Sequence, residues 1–136
     1  MSLSEYKIKR IPLSSLTQKN NESSNFKTTQ MEKLFAYGTL KDKDIQENIF
    51  GRSLKGTPDR LVGFVINYIE IEEDFGIEKY PIIVATENPQ DIVEGLVYDI
   101  TEEDVYLADT YEGLHYKRIE VTLESLQTAW AYIVTN

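Results

Sequence analysis

The stretch from residue 34 to residue 40 combines residue types that could hold an anion. Three apolar residues and Tyr37 form a run typical of a buried strand, and the run stops at Gly38, which permits tight turns. Asp42 is then placed to cap a helix, with apolar residues at helical spacing over residues 45–50. A strand that enters a helix through a glycine turn leaves backbone N–H groups pointing in one direction, where they can bind an anion. The pattern is also typical of a plain strand–turn–helix connection, and the residues alone leave both interpretations open.

Glu112 is the carboxylate whose surroundings best suit proton transfer. It immediately precedes Gly113, which is placed to end a helix, and aromatic residues flank it on both sides. Those neighbours would exclude water and raise the pKa of the carboxyl group, and the carbonyl dipoles at a helix C-terminus would act in the same direction. A carboxyl group tuned in this way can accept and return a proton near neutral pH. A solvated glutamate at a helix end is the other interpretation that the residues allow.

Most familiar catalytic machinery is absent from the sequence. The chain contains no cysteine, which excludes disulfides, cysteine nucleophiles and thiolate metal sites. Its single histidine, His115, is expected to be an exposed loop residue, and no phosphate-binding loop, serine elbow or zinc motif occurs. Any chemistry must therefore use carboxylates, tyrosines and backbone donors, and we predict neither a cofactor nor a metal.

A cluster of carboxylates between residues 70 and 74 could in principle bind a hard cation. The cluster contains Glu70, Glu72, Glu73 and Asp74, just before Phe75-Gly76. Its spacing matches no calcium-binding loop, so the sequence favours a solvated hairpin end.

Length and charge limit the classes of partner. A chain of 136 residues is long enough for one domain with a core. The net charge of -9 is uneven: residues 1–31 carry five basic and two acidic residues, giving +3, and residues 32–136 carry nine and twenty-one, giving -12. The acidic part would repel nucleic acid and anionic membranes, so we expect neither as a partner. Without a membrane-length apolar run or a secretory signal, the sequence predicts a cytoplasmic protein.

The order of predicted elements indicates an α+β domain. After the first strand and helix, we predict one long strand over residues 61–71, then strands over residues 80–85 and 92–100. Thr101 begins a helix that Gly113 ends, and two strands over residues 116–123 and 128–134 follow. This order lacks a regular βαβ repeat and predicts a mainly antiparallel, barrel-like sheet.

Residues 1–31 differ from the domain predicted over residues 32–136. Residues 14–30 are rich in Ser, Asn, Thr and Gln, a composition typical of a polar, mobile arm. Residues 6–13 show loose apolar–polar alternation and could instead add a strand to a sheet edge, in the same chain or in a neighbouring subunit. The second interpretation predicts a homodimer formed through the N-terminal arm.

Four motifs in order resemble the gamma-glutamylcyclotransferase-like family, in particular its AIG2-like branch. They are the stretch of residues 34–40, Tyr80-Pro81, residues 93–98, and Tyr111-Glu112-Gly113-x-x-Tyr116-x-Arg118. The resemblance covers about residues 33–134.

The resemblance implies a small mixed β-barrel with flanking helices and a reaction that needs no protein nucleophile. The α-amine of a γ-glutamyl compound would attack its own γ-carbonyl group, releasing 5-oxoproline and an amine or amino acid. Glu112 would be the general acid/base, and we expect it to face the binding loop across one cavity. The implied substrate-binding residues are the loop of Tyr37, Gly38, Thr39 and Leu40, with Tyr80 and Tyr116 as cavity walls.

Two departures from the family pattern support a second hypothesis. Ile82 stands where the nearest branch frequently has glycine, and residues 41–44 replace a glycine found in some branches. Either change would alter the cavity, so a non-enzymatic small-ligand binding or interaction domain without useful turnover is the alternative.

Overall fold

The computed structural model describes residues 31–135, which form seven strands and two α-helices. The strands are β1 (Met31–Ala36), β2 (Thr57–Val62), β3 (Phe64–Glu73), β4 (Gly76–Ala85), β5 (Ile92–Thr101), β6 (Tyr116–Thr122) and β7 (Thr128–Val134). The helices are α1 (Lys43–Phe50) and α2 (Glu102–Glu112).

Strand β1 lies at the centre of a five-stranded sheet ordered β2-β5-β1-β7-β6. It pairs antiparallel with β5 and parallel with β7, where Leu34 faces Trp130. Because successive side chains of a strand point to opposite faces, Leu34 and Ala36 pack with the helices, while Phe35 packs in a second core on the other face. The mixed α+β class and the mainly antiparallel sheet are confirmed.

The single strand predicted over residues 61–71 is wrong, because Gly63 divides it into β2 and β3. Gly63 has a φ of 88°, which favours glycine. Its N–H donates to the Asp91 carbonyl (2.7 Å), and its own carbonyl accepts from the Thr86 N–H (2.8 Å). The chain therefore changes partner at this residue, from β5 to β4, and β3 and β4 form a separate two-stranded hairpin.

The predicted barrel is also wrong, since the sheet is not closed. Strands β2 and β6 are its two edges, and the hairpin that could have extended it departs at Gly63. The edge strand β2 meets the turn between β6 and β7, where the Glu124 N–H donates to the Arg60 carbonyl (2.8 Å). One backbone hydrogen bond between a turn and an edge strand does not make a continuous ladder.

Both helices begin and end near the residues that the sequence indicated. The Asp42 carboxylate accepts from the Asp44 N–H (2.8 Å) at the start of α1. Thr101 and Asp104 form a reciprocal capping box at the start of α2, and Gly113, with a φ of 72°, ends it. The end of α2 at Glu112 is thus set by local sequence.

The N-terminal arm predicted over residues 1–31, with its edge strand and dimer, lies outside the described residues except for Met31. In the part of the chain that the structure describes, no helix has the length and apolar character needed to cross a membrane.

Candidate active site

An open cavity of about 510 Å³ lies where β1, the start of β6, the hairpin and the end of α2 meet. The cavity contains all seven residues predicted for the site, which the sequence separates by up to 79 positions. Its lining consists of Phe35, Ala36, Tyr37, Gly38, Thr39, Leu40, Tyr80, Pro81, Tyr111, Glu112, Tyr116 and Tyr132.

The loop of residues 37–40 forms one wall and begins a single 3₁₀ turn over Thr39–Lys41. The turn is closed by the Lys41 N–H, which donates to the Gly38 carbonyl (3.1 Å). The first N–H groups of such a turn have no partner within it. A Cβ atom at Gly38 would lie 3.3 Å from Pro81 Cγ, so a side chain here would crowd the hairpin across the cavity.

Gln46 fixes the far end of this loop, and the sequence analysis did not identify it. Its Nε2 donates to the Leu40 carbonyl (2.8 Å), and its Oε1 accepts from the Leu54 N–H (2.8 Å). The side chain is 1% exposed, and these bonds satisfy both of its polar ends. A polar residue on the apolar face of α1, beside Ile49 and Phe50, was the available signal.

Hydrogen bonds tie the loop to the rest of the site. The Tyr37 hydroxyl donates to the Tyr132 carbonyl (2.6 Å), and the hydroxyl groups of Thr39 and Tyr111 lie 2.8 Å apart. Burial raises the pKa of Tyr37, and the nearby charge of Glu112 adds to the shift. Tyr37 is therefore a neutral hydrogen-bond donor at physiological pH.

Glu112, half-buried as the last residue of α2, lines the same cavity. Burial raises the pKa of Tyr116 and Tyr132, and the Glu112 charge contributes in both cases. The carboxylate therefore lies close to three phenols from different parts of the chain, Tyr37 among them.

The two remaining predicted residues line the hairpin side of the cavity. Tyr80 lies on β4 and donates through its hydroxyl to Glu73 Oε2 (2.7 Å). Tyr116 begins β6, and its hydroxyl donates to the Pro81 carbonyl (3.4 Å). The first bond lies within the hairpin, and the second connects the hairpin to the five-stranded sheet beside the cavity.

Other chemically notable residues lie outside the cavity. His115 is exposed in the turn after α2, and the departures at Ile82 and residues 41–44 are not part of the lining. Among residues 31–135, no cluster of three or more acidic or histidine side chains is arranged to hold a metal ion. The carboxylates of residues 70–74 occupy the end of the β3–β4 hairpin.

Residues 34–136 match the family described as "Gamma-glutamyl cyclotransferase, AIG2-like". Among curated protein sequences, none matches this chain. A solved structure titled "Gamma-glutamyl cyclotransferase" superimposes with a TM-score of 0.65 at 20% identity, covering 79% of this chain and 68% of that one.

Two further solved structures have a similar fold. A protein of Arabidopsis thaliana gives a TM-score of 0.62 at 23% identity, over 81% of this chain and 72% of the other. An uncharacterized protein from Homo sapiens gives a TM-score of 0.65 at 21% identity, covering 78% of this chain and 68% of the other. At these identities the likeness shows the shared fold.

Proposed function

This chain belongs to the gamma-glutamyl cyclotransferase, AIG2-like family, and we propose that it converts a γ-glutamyl amide into 5-oxoproline and a released amine or amino acid. One observation carries the proposal: Glu112 and the loop of residues 37–40 line the same cavity. Among the described residues of that lining, Glu112 alone has a carboxyl group, which can accept a proton and return it.

We assign the loop of Tyr37, Gly38, Thr39 and Leu40 to the α-carboxylate of the substrate. The N–H groups at the start of the Thr39–Lys41 turn supply the donors for an anion. Gly38 leaves the wall open towards Pro81, and Gln46 holds the Leu40 end still. A carboxylate bound here would fix one end of the glutamyl chain.

Glu112 is assigned the proton transfers. Its carboxylate removes a proton from the substrate α-ammonium group, and the resulting amine attacks the γ-carbonyl carbon. A carbon–nitrogen bond forms and closes the five-membered ring, with the electron pair moving to the carbonyl oxygen. Collapse of this intermediate breaks the original amide bond as the departing nitrogen takes the proton back from Glu112. The regenerated carboxylate then relays the extra proton of the ring nitrogen to the released amine, which leaves as an ammonium group.

The aromatic side chains that line the cavity would hold the substrate in a reactive conformation. Tyr80 and Tyr116 narrow the hairpin side of the cavity, so the glutamyl chain would be held curled with its amine near its own carbonyl carbon. Intramolecular attack from a held conformation avoids much of the entropic cost of bringing two groups together. Neutral phenols would also leave Glu112 as the proton acceptor.

The test is release of 5-oxoproline from a panel of γ-glutamyl amino acids and γ-glutamyl amines. We expect turnover of at least one member, and Glu112→Gln should lower kcat by about 10²- to 10⁴-fold, because the amide cannot accept the proton. Glu103→Gln, at a half-buried glutamate on the same helix outside the cavity lining, is the matched control and should keep wild-type rates.

Two results would contradict the proposal in different ways. Undiminished activity in Glu112→Gln would exclude the acid/base assignment while leaving the reaction intact. Binding of panel members without release of 5-oxoproline would identify a ligand-binding domain and exclude the enzyme.

A further inference from the structure

A bidentate Arg–Asp ion pair holds helix α2 near each of its ends. At its start, Arg52 donates to both oxygens of Asp104 (2.7 and 3.3 Å). Near its end, Arg118 on β6 donates through Nε to Asp109 Oδ1 (2.9 Å) and through Nη2 to Oδ2 (3.2 Å). The two pairs are alike in chemistry, but only the second lies in the turn of helix that carries Glu112.

Asp109 also accepts a hydrogen bond from a residue of the cavity. The Tyr132 hydroxyl donates to Asp109 Oδ1 (2.6 Å), and Tyr132, which is 5% exposed, lines the cavity. Arg118 and Tyr132 face each other across the β6–β7 ladder. The Asp109 carboxylate therefore joins α2 to two neighbouring strands at one point.

Arg118 is itself held in one orientation. Its guanidinium carbon lies 4.1 Å from the centre of the Trp130 ring, and Trp130 Nε1 donates to Glu32 Oε1 on β1 (2.9 Å). A guanidinium group stacked on an indole ring while bonded in a planar fork to a carboxylate has little rotational freedom. Lysine could keep the charge at this position but could not reproduce the fork.

We infer that Asp109 and Arg118 are positioning residues for Glu112, an inference that rests on the proposed function. Asp109 precedes Glu112 by three positions, which places both side chains on neighbouring parts of one helix face. Fixing Asp109 to β6 and β7 fixes the last turn of α2, and with it the direction of the Glu112 carboxylate. The Arg118 charge balances Asp109, so that Asp109 adds little net negative charge beside Glu112.

The first test compares Arg118→Lys with Arg52→Lys, its matched control at the other end of the helix. Both variants lose a bidentate pair, and because the Asp104 side chain is 5% exposed against 40% for Asp109, Arg52→Lys should lower the Tm at least as much as Arg118→Lys. Only Arg118→Lys should lower kcat, by about ten- to a hundredfold, because misplacing a reacting group by an ångström has effects of this size. KM should change little in either, since neither arginine lines the cavity. Equal kcat values for the two variants would overturn the inference.

The second test uses the pH dependence of kcat/KM in two variants, Asp109→Asn and Arg118→Gln. If the pair had a purely structural role, the two substitutions would not shift the pH profile in opposite directions. Ionisable groups around Glu112 are the phenols Tyr37, Tyr80, Tyr111, Tyr116 and Tyr132, together with Asp109 and Arg118. Asp109→Asn leaves the Arg118 charge unbalanced near Glu112, so the acid limb should move to lower pH. Arg118→Gln leaves Asp109 unbalanced and should move it to higher pH, each by about half to one unit.

Failure of the inference and failure of the proposed function give different results. Shifts of the same sign, or no shift, would overturn the positioning and charge-balancing role while the wild type still releases 5-oxoproline. A wild type inactive on every panel member would overturn the proposed function, and this inference with it.

Discussion

Glu112 shares its cavity with phenol groups that have unusually low acidity. Burial is the main cause that raises the pKa of Tyr37, Tyr116 and Tyr132, and the Glu112 charge raises it further in each case. A hydrogen bond from Tyr132 to Asp109 adds to its shift. Neutral phenols therefore surround Glu112, and they would not compete for the proton-transfer role that we propose for it.

These tyrosines predict a loss of stability at alkaline pH. Each has a folded-state pKa above the unfolded value of about 10, so its contribution to the free energy of unfolding is complete below pH 10 and declines as the pH rises further. Tyr116→Phe should make this decline shallower, because phenylalanine does not ionise. Urea unfolding at several pH values above neutrality measures the slope.

Tyr68→Phe is the matched control, since Tyr68 lies on the exposed part of β3 with a 64% exposed side chain. Its slope should equal that of the wild type. A Tyr116→Phe slope equal to that of the wild type as well would contradict the raised pKa of Tyr116.

At the scale of elements, the position of the loop of residues 37–40 depends on how closely β1 approaches β5. Ala36 is the last residue of β1, and a Cβ atom at Gly95 would lie only 2.6 Å from the Ala36 carbonyl oxygen. The same atom would lie 2.7 Å from Phe35 Cζ. Glycine at position 95 therefore allows β1 to end where the loop must start.

Gly95→Ala should consequently lower the free energy of unfolding by about 3 kcal/mol, because the added methyl group meets backbone and a buried ring that cannot move aside. Displacement of Ala36 should also raise KM for any substrate held by the loop. Glu94→Ala, at the exposed neighbouring residue, should stay within about 0.5 kcal/mol of the wild type. Urea denaturation checks both variants, and a loss below 1 kcal/mol for Gly95→Ala would show that the strands can separate at this point.

Local signals predicted the elements well where one residue decides a boundary. Asp42, Thr101 and Gly113 mark helix ends in the sequence, and the structure confirms all three. Gly63 was an equally visible signal, but the β-branched residues around it favoured an unbroken strand. A partner change at a glycine depends on two other strands, which local propensity does not contain.

The sequence predicted the site residues that belong to recognisable motifs, and it did not predict the residues that support them. The seven expected residues line one cavity, but their roles stay predictions until activity is measured. Gln46, Asp109 and Tyr132 were missed, because their importance comes from partners on other elements. Tyr132 lies 23 positions from Asp109 in sequence, and the β6–β7 register places it opposite Arg118, which Asp109 also binds.

At the scale of the whole molecule, the sheet is curved enough for its two edges to meet without pairing. Asp59 on the edge strand β2 accepts from the Ser125 hydroxyl (2.5 Å) in the turn between β6 and β7. It also accepts from Gln127 Nε2 (3.4 Å) and from the Arg60 N–H (2.8 Å). The Asp59 carboxylate thus adds side-chain hydrogen bonds to the backbone bond between Glu124 and Arg60, and it makes this join sensitive to pH.

The join between the sheet edges should weaken in acid. Burial alone would raise the pKa of Asp59, but the hydrogen bonds from Ser125, Arg60 and Gln127 outweigh it and lower the pKa. A lowered folded-state pKa stabilises the protein above the unfolded value of about 4, and the contribution is lost as the pH falls below it. Asp59→Asn should therefore cost about 1 kcal/mol of stability at neutral pH and nothing in strong acid, where the wild-type carboxyl is protonated.

Glu124→Gln is the control, because Glu124 lies in the turn between β6 and β7 in an exposed pair with Arg60. It should change stability by under about 0.5 kcal/mol at every pH. Thermal unfolding measured across the acid pH range tests both variants. A stability loss for Asp59→Asn that does not change with pH would mean that packing, rather than the carboxylate charge, holds the edges together.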